Sequence, residues 1–143
     1  MMPVTRTLSW AEIDDHARKL ADRLKAMGPF TGIAAVTRGG LVPAALLAQW
    51  LDIRTIETIS VQSYVGDRRD RMAVLKPPPG GDGTGWLVVD DLADSGTTLR
   101  TLRGLWPRAR FATLYAKPQG KDAVDDFITE VDQSVWLAFP WEK

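Results

Sequence analysis

Residues 88–98 of the chain have the sequence VVDDLADSGTT. The two valines end a short apolar run that begins at Trp86, and such a run predicts a buried β-strand. Asp90 comes directly after that predicted strand, and small hydroxyl residues then open a helix that we predict over residues 97–106. A strand, a short loop and a helix in this order are the repeating unit of a parallel α/β sheet. This stretch therefore decides the fold class.

The same alternation of strand and helix extends along the rest of the chain. In order, the predicted elements are a helix that begins at the capping box of Ser9 and Glu12, a strand over residues 32–36, a helix over about 43–51, a strand or hairpin arm over 53–64, the strand and helix around the acidic loop, and a strand over 111–116. Residues 66–85 are charged and then rich in proline and glycine, which predicts a mobile loop, and the apolar tail over residues 135–141 shows no regular period. The pattern predicts one domain over residues 1–143, with an α/β fold whose parallel sheet is flanked by helices.

Length and composition exclude several classes of protein. With 143 residues, of which 45% are hydrophobic, the chain is long enough for one domain with a core and too short for two. Its 18 basic and 18 acidic residues balance, so no net field favours nucleic acid, and we expect small molecules or further copies of the chain as partners. The absence of cysteine excludes disulfides and a thiolate nucleophile.

Neither a membrane span nor a signal sequence is predicted. The longest apolar runs, such as residues 41–51, fall short of the roughly 20 residues that cross a bilayer. Residues 1–6 lack the apolar core of a signal peptide. We therefore expect a cytoplasmic protein, and peripheral contact with a membrane surface is not excluded.

The acidic loop combines two kinds of binding group. Three carboxylates, those of Asp90, Asp91 and Asp94, lie within five residues, and they would repel one another unless a cation or solvent is close. Residues 95–98 then offer small hydroxyls and backbone N–H groups at a helix N-terminus, where the helix dipole favours an anion. In a parallel sheet, ligands bind beyond the carboxyl ends of the strands. A ligand that carries a phosphate and either a vicinal diol or magnesium would use both halves of this loop.

Simpler and different explanations of the loop were weighed. Asp94 or Ser95 could merely cap the helix, with the acidic pair solvated. Phosphatases of the haloacid dehalogenase type need a second aspartate two residues after the first, and Leu92 stands there. Receiver domains of two-component signalling also pair acidic residues after a strand, but after the first strand, and residue 90 of 143 leaves too little chain behind it.

The string VVDDLADSGTT closely resembles the loop that binds phosphoribosyl pyrophosphate in the type I phosphoribosyltransferases. The resemblance extends across nearly the whole chain to the bacterial xanthine-guanine phosphoribosyltransferase family, through residues 16–21, 38–43, 74–76, 116–118 and 135–136. It implies the type I phosphoribosyltransferase fold with a small hood over the base site. It also implies a purine salvage enzyme that takes a 6-oxopurine (guanine, xanthine or hypoxanthine) and phosphoribosyl pyrophosphate, with Mg²⁺, and forms the nucleoside 5′-monophosphate and pyrophosphate.

The family's loop implies a role for each residue of the acidic stretch. Asp90 and Asp91 would face the ribose hydroxyls and Mg²⁺, since carboxylate oxygens suit both a diol and a hard cation. Asp94 would lie near the base and would contact or deprotonate its ring nitrogen as the new bond forms. The 5′-phosphate would be held by Ser95, Gly96, Thr97 and Thr98. The family often has a second glycine where this chain has Thr97, which is a departure in the backbone of the loop.

Other matching positions complete the implied substrate site. Arg38 and Gly39 match the family's pyrophosphate loop, where the arginine neutralises the departing charge and the glycine permits close approach of the backbone. Taken alone, Arg38 would be assigned to a surface ion pair. Lys117 resembles the lysine that bonds the exocyclic oxygen of a 6-oxopurine. Trp136 resembles the aromatic residue that stacks on the base, and Leu137 would offer backbone groups to the 2-position.

Several residues have a structural explanation as well. Trp136 could pack in the core, as most of the six tryptophans are expected to do. His16, on the first helix, is predicted to be structural. Trp50, Trp106 and Trp141 are candidates for the interface of a homo-oligomer, because the family is commonly oligomeric.

Two segments depart from the family pattern. Residues 67–73 are basic, like the loop that closes over the site in the family, but their register slips. Arg68, Arg69 and Arg71 are therefore equal candidates for substrate contact. The chain also ends at Lys143, earlier than in family members, so part of the hood is expected to be missing.

A second hypothesis of another class is a regulatory protein of the same fold that binds a nucleotide or RNA without turnover. The neutral charge balance disfavours RNA. The intact set of Arg38, Asp94 and Lys117 disfavours a lost activity.

Overall fold

The computed structural model describes residues 4–63 and 72–143. In chain order, the elements are β1 (Thr5–Thr7), α1 (Trp10–Lys25), β2 (Gly32–Thr37), α2 (Leu41–Leu51), β3 (Ile56–Ser63), β4 (Met72–Lys76), β5 (Trp86–Ala93), α3 (Thr97–Leu105), β6 (Arg110–Ala116), a 3₁₀ turn (Lys121–Ala123), β7 (Thr129–Glu130) and β8 (Trp136–Ala138).

The first helix forms as its sequence predicts. The N–H of Glu12 donates to Ser9 Oγ at 3.1 Å, and the N–H of Ser9 donates to Glu12 Oε2 at 2.8 Å, which completes the capping box. The apolar residues at helical spacing are all buried: Ile13, Ala17, Leu20, Ala21 and Leu24. A capped start and one apolar face fix how α1 lies on the sheet.

A six-stranded sheet forms the centre of the domain, with strand order β4-β3-β2-β5-β6-β7. All neighbouring pairs are parallel except β3 and β4, which are antiparallel. The predicted α/β fold with a parallel sheet flanked by helices is therefore confirmed. β1 and β8 pair with each other in a separate, parallel two-stranded sheet.

Alternating residues of the central strands divide the core into two layers. Ile33 and Ala35 of β2 belong to the apolar cluster formed with α1 and α2. Ala34 and Val36 belong to the cluster on the other face, which includes Leu99 and Leu102 of α3. Because successive side chains of a strand point to opposite faces, a strand covered on both sides must be apolar throughout.

Three boundaries differ from the sequence predictions. β4 occupies part of the predicted mobile loop, where its short apolar run adds to the open edge of β3 in antiparallel register, and residues 66–71 of that predicted loop lie outside the described residues. β5 continues to Ala93 because its last residues pair with β6, so Asp90 lies inside the strand and not after it. α2 begins at Leu41, two residues before its predicted start at Pro43.

Two tryptophans that were predicted to be exposed or buried behave differently. Trp106 is fully buried beside Trp86, with its indole N–H donated to Pro79 O at 3.0 Å, so its predicted place in an oligomer interface is wrong. Trp50 is exposed, as an interface residue would have to be. Among residues 4–63 and 72–143, no helix combines the length and the apolar character needed to cross a membrane.

Candidate active site

The carboxyl ends of three neighbouring parallel strands bring the predicted site residues to one edge of the sheet. Arg38 and Gly39 follow β2, Asp94 follows β5, and Lys117 follows β6. β5 lies between β2 and β6, so the three loops are adjacent. This is the edge at which open α/β sheets bind ligands.

A cavity of about 770 Å³ opens at this edge. It lies within the size range of small-molecule sites, roughly 300–1,000 Å³. The predicted site residues that line it are Arg38, Gly39, Asp91, Asp94, Lys117, Trp136 and Leu137. The predicted site residues outside its lining are Asp90, Ser95, Gly96, Thr97 and Thr98. The structure thus gathers the residues assigned to the base and the pyrophosphate, while the predicted phosphate loop lies beside the cavity.

The acidic pair at the end of β5 is partly buried and strongly interacting. The N–H of Asp91 donates to Asp90 Oδ1 at 2.8 Å. Burial, and then the negative charge of Asp91, raises the pKa of Asp90 well above its usual 3.8. Burial also raises the pKa of Asp91. Two carboxyls that resist ionisation side by side form a place where a cation or several hydrogen-bond donors would be favourable.

Gly39 allows the loop after β2 to touch Asp91. A Cβ built on Gly39 would lie 2.6 Å from Asp91 Cγ and would overlap both carboxyl oxygens. Arg38, whose peptide bond to Thr37 is cis, is exposed at the cavity. Within the described part of the chain, no ion pair is found for Arg38, so the surface ion pair that its sequence alone would suggest is not supported there.

The start of α3 forms the predicted anion site. Gly96 is the N-cap, with φ of 88°, and it provides no side-chain hydrogen bond to the helix. The N–H of Thr97 donates to Ser95 Oγ at 3.3 Å, so Ser95 contributes part of the capping that the simpler explanation expected. The remaining first-turn N–H groups have no residue within the helix to accept from them and are available to an anion.

Thr97, where the family often has a glycine, fits this loop without strain. It is the first residue of α3, and Asp52 is the sole non-glycine residue with positive φ in the described ranges. The left-handed conformation that glycine favours is needed at Gly96, where a Cβ would also lie 2.7 Å from the guanidinium of Arg100. The departure at Thr97 therefore leaves the backbone of the loop intact.

A buried lysine and an exposed tryptophan stand at the other end of the cavity. Lys117 is only 4% exposed, and its Nζ lies 3.4 Å from Asp94 Oδ2. Trp136 is 58% exposed, so it does not pack in the core, and Leu137 beside it is buried. Both lie on β8, which β1 holds in register through Thr5 and Arg6. The small sheet thus forms one wall of the cavity.

The aromatic tail of the chain completes this wall and was not predicted. Phe139 and Trp141 line the cavity and stack with ring centroids 4.8 Å apart, and Trp141 also packs against Trp10 at 6.0 Å. Glu142 and Lys143 lie at its rim. The apolar composition of residues 135–141 is the one signal in the sequence, and it does not reveal which surface the tail covers.

His16 lies away from the cavity and has structural contacts. Its Nδ1 is 2.6 Å from Glu12 O, its Nε2 is 2.9 Å from Thr129 Oγ1, and its ring packs on Tyr115. Both ring nitrogens are therefore engaged, as expected for a structural histidine. The predicted loop arginines, Arg68, Arg69 and Arg71, lie outside the described residues.

Comparisons with known proteins agree with this geometry. The family model described as phosphoribosyl transferase domain matches residues 9–142. A xanthine-guanine phosphoribosyltransferase of Ruegeria sp. (strain TM1040) is 51% identical, over 94% of this chain and 84% of that protein. One of Cereibacter sphaeroides is 50% identical, over 94% of this chain and 85% of that protein.

A solved structure extends the agreement to three dimensions. The crystal structure of a purine phosphoribosyltransferase from Pyrococcus horikoshii is similar with a TM-score of 0.81 and 30% identity, over 97% of this chain and 95% of that one. The chain belongs to the phosphoribosyltransferase family, whose members are glycosyltransferases.

Proposed function

We propose that this protein is a purine salvage phosphoribosyltransferase that transfers phosphoribose from phosphoribosyl pyrophosphate to a 6-oxopurine: guanine, xanthine or hypoxanthine. The products are the nucleoside 5′-monophosphate and pyrophosphate. The observation that carries the proposal is the convergence of Asp94, Lys117 and Trp136 on one cavity that also contains Arg38 and Asp91. The relatives of about 50% identity named above support the same substrates.

The phosphoribosyl half of the substrate fits the side of the cavity formed by β2, β5 and α3. Arg38 would neutralise the pyrophosphate, and Gly39 would let the phosphate oxygens approach the backbone. Asp90 and Asp91 would accept hydrogen bonds from the ribose hydroxyls. The 5′-phosphate would bind at residues 95–98, where the helix N-terminus supplies N–H groups and a positive dipole end.

Mg²⁺ fits the same acidic pair. In the described part of the chain, no group of three or more potential metal ligands occurs. Mg²⁺ is nevertheless bound in many phosphate-handling sites by one or two carboxylates together with substrate phosphates and water. Asp90 and Asp91 offer two such carboxylates, whose raised pKa values show that a positive charge beside them would be favourable. When bound, the ion would neutralise charge on the pyrophosphate.

The base fits the other half of the cavity. The Lys117 ammonium would donate to the exocyclic oxygen at position 6, which adenine lacks. Trp136 would stack on the purine ring, as its exposed indole at the cavity allows. Leu137 is buried, so its contribution to the 2-position would come from its backbone groups.

Transfer breaks the bond between C1′ of ribose and a pyrophosphate oxygen, and forms a bond between C1′ and a ring nitrogen of the purine. The sugar passes through a state with oxocarbenium character, so the protein must stabilise a leaving polyanion and hold the base in line. Arg38 and the helix N-terminus do the first, and Trp136 with Lys117 does the second. Asp94 accepts the proton that the ring nitrogen loses.

Pyrophosphate release in the presence of Mg²⁺, phosphoribosyl pyrophosphate and a panel of free bases tests the proposal. We expect release with guanine, xanthine and hypoxanthine and far less with adenine. No release with any base would contradict the proposal and would favour the alternative, a nucleotide- or RNA-binding regulator without turnover. A homo-oligomer in solution and a cytoplasmic location are further expectations from the family resemblance.

A further inference from the structure

Gln133 contacts the carboxylate that we assign to proton transfer, although no sequence motif identifies this glutamine. Its amide Nε2 donates to Asp94 Oδ1 at 2.9 Å and lies 3.3 Å from Asp94 O. Its Oε1 accepts from the N–H of Gln119 at 2.9 Å. One side chain therefore ties the loop after β5 to the loop after β6.

The Asp94 side chain needs such support because it is 54% exposed. An exposed side chain samples several rotamers, and fixing it only when substrate arrives would cost conformational entropy at that moment. Lys117 approaches Oδ2, but at 3.4 Å this contact is long for a hydrogen bond. The shorter bond, from Gln133 to Oδ1, is thus the main side-chain contact that orients this carboxylate within the described part of the chain.

The anchor of Gln133 is itself held in place. Arg100 donates through Nη2 to Gln119 O at 2.9 Å and through Nη1 to Ser95 O at 2.8 Å. Ser95 follows Asp94 in the chain, so the hydrogen bonds form a closed ring through Asp94, Gln133, Gln119, Arg100 and Ser95. A ring of this kind limits the movement of each member and so gives the carboxylate a defined direction.

The chemistry of an amide suits this position. A neutral N–H donor orients a carboxylate without supplying a full positive charge, so the carboxylate keeps the ability to accept a proton. We propose that Gln133 is a positioning residue for phosphoribosyl transfer, which holds the Asp94 carboxylate in the direction from which it meets the ring nitrogen of the base. This inference rests on the function proposed above.

The variant Gln133→Glu separates positioning from anchoring. Its carboxylate still accepts from the N–H of Gln119, but it has no donor for Asp94 and repels it. We expect kcat with guanine to fall by about 10- to 100-fold, as small displacements of reacting groups produce. The KM for phosphoribosyl pyrophosphate and the Tm should change little, because the phosphate side and the anchor are retained. A kcat within twofold of wild type would overturn the inference.

A matched control and a double-mutant cycle complete the experiment. Gln49→Glu makes the same chemical change on the exposed side of α2 and should leave kcat unchanged. In a protein that already carries Asp94→Asn, Gln133→Leu should cause no further loss of kcat, because its effect passes through Asp94. Independent, multiplied losses would overturn the positioning role.

The two proposals fail in different ways. Wild-type protein that releases no pyrophosphate with any base would refute the proposed function. Wild-type protein that is active, with Gln133→Glu equally active, would refute the positioning role alone.

Discussion

The ammonium of Lys117 lies 3.4 Å from Asp94 Oδ2 in the cavity, so the donor proposed for the 6-oxo group and the acceptor proposed for the ring proton face each other. Lys117 is almost fully buried, whereas more than half of the Asp94 side chain is exposed. A buried ammonium needs a partner, and Asp94 provides one until a base with a 6-oxo oxygen provides another. The pair thus links purine recognition to proton transfer.

Lys117→Met should impair 6-oxopurines selectively. Methionine fills the buried space but cannot donate to the exocyclic oxygen, and a hydrogen bond to a charged group contributes about 1.5–3 kcal/mol. We expect kcat/KM for guanine to fall by about 10- to 100-fold, measured by pyrophosphate release. Lys121→Met, at an exposed lysine paired with Glu130 at 3.2 Å, is the matched control. The assignment would have to be abandoned if wild-type protein preferred adenine.

Asp94→Asn should lower turnover much more than it weakens substrate binding. Asparagine keeps the shape of the side chain but accepts no proton, and general base catalysis contributes about 100- to 10,000-fold. We expect kcat to fall within that range while the Kd for phosphoribosyl pyrophosphate, measured by calorimetry, changes little. The exposed Asp122→Asn is the control, with wild-type kcat expected. Equal losses in kcat and in affinity would remove Asp94 from the chemical step.

Gly39→Ala should disrupt the pyrophosphate side of the cavity. The added Cβ would overlap the carboxyl of Asp91, so either the loop after β2 or the acidic pair must move. We expect KM for phosphoribosyl pyrophosphate to rise by about tenfold or more, because displacements of this size misalign substrate groups.

Gly104→Ala is the matched control for Gly39. Gly104 lies near the end of α3, and a Cβ there meets no atom within 4 Å. Alanine in a helix is favoured over glycine by about 0.5–1 kcal/mol, so this variant should be slightly more stable and fully active. Similar kinetics for both variants would contradict the role of Gly39.

Asp90→Asn should reduce the pH dependence of stability in the ligand-free protein. Burial raises the pKa of Asp90 above its value in the unfolded chain, so the folded state binds this proton more tightly. The contribution to stability is therefore complete below pH 3.8 and is lost as the pH rises through the higher folded-state pKa. Thermal unfolding across pH measures it, and Tm should fall less steeply in Asp90→Asn than in wild type.

Two further measurements test the same acidic pair. Asp14→Asn, at an exposed position on α1, is the control and should follow the wild-type curve. Mg²⁺ with phosphoribosyl pyrophosphate should raise the Tm of wild type more than that of Asp90→Asn, since a ligand stabilises the state that binds it. An identical rise in both proteins would argue against Asp90 as part of the binding site.

Local patterns predicted the elements that depend on neighbouring residues. The capping box at Ser9 and the apolar face of α1 are short-range features, and both formed as expected. The extent of β5 was underestimated because its last residues, including the charged Asp90, are held in the strand by pairing with β6. β4 was missed because a short apolar run becomes a strand only where another strand offers it an edge.

For the candidate site, the sequence by itself determined which chemical groups are available, because motifs such as VVDDLADSGTT fix residue types at fixed spacing. Only the tertiary structure decided which of these groups meet: Lys117 with Asp94, Gly39 with Asp91, and Gln133 with Asp94. Gln133 lies 39 residues from Asp94 along the chain, and no local pattern encodes a contact across that separation. The parallel pairing of β2, β5 and β6 brings their loops to one edge, and that pairing creates the cavity.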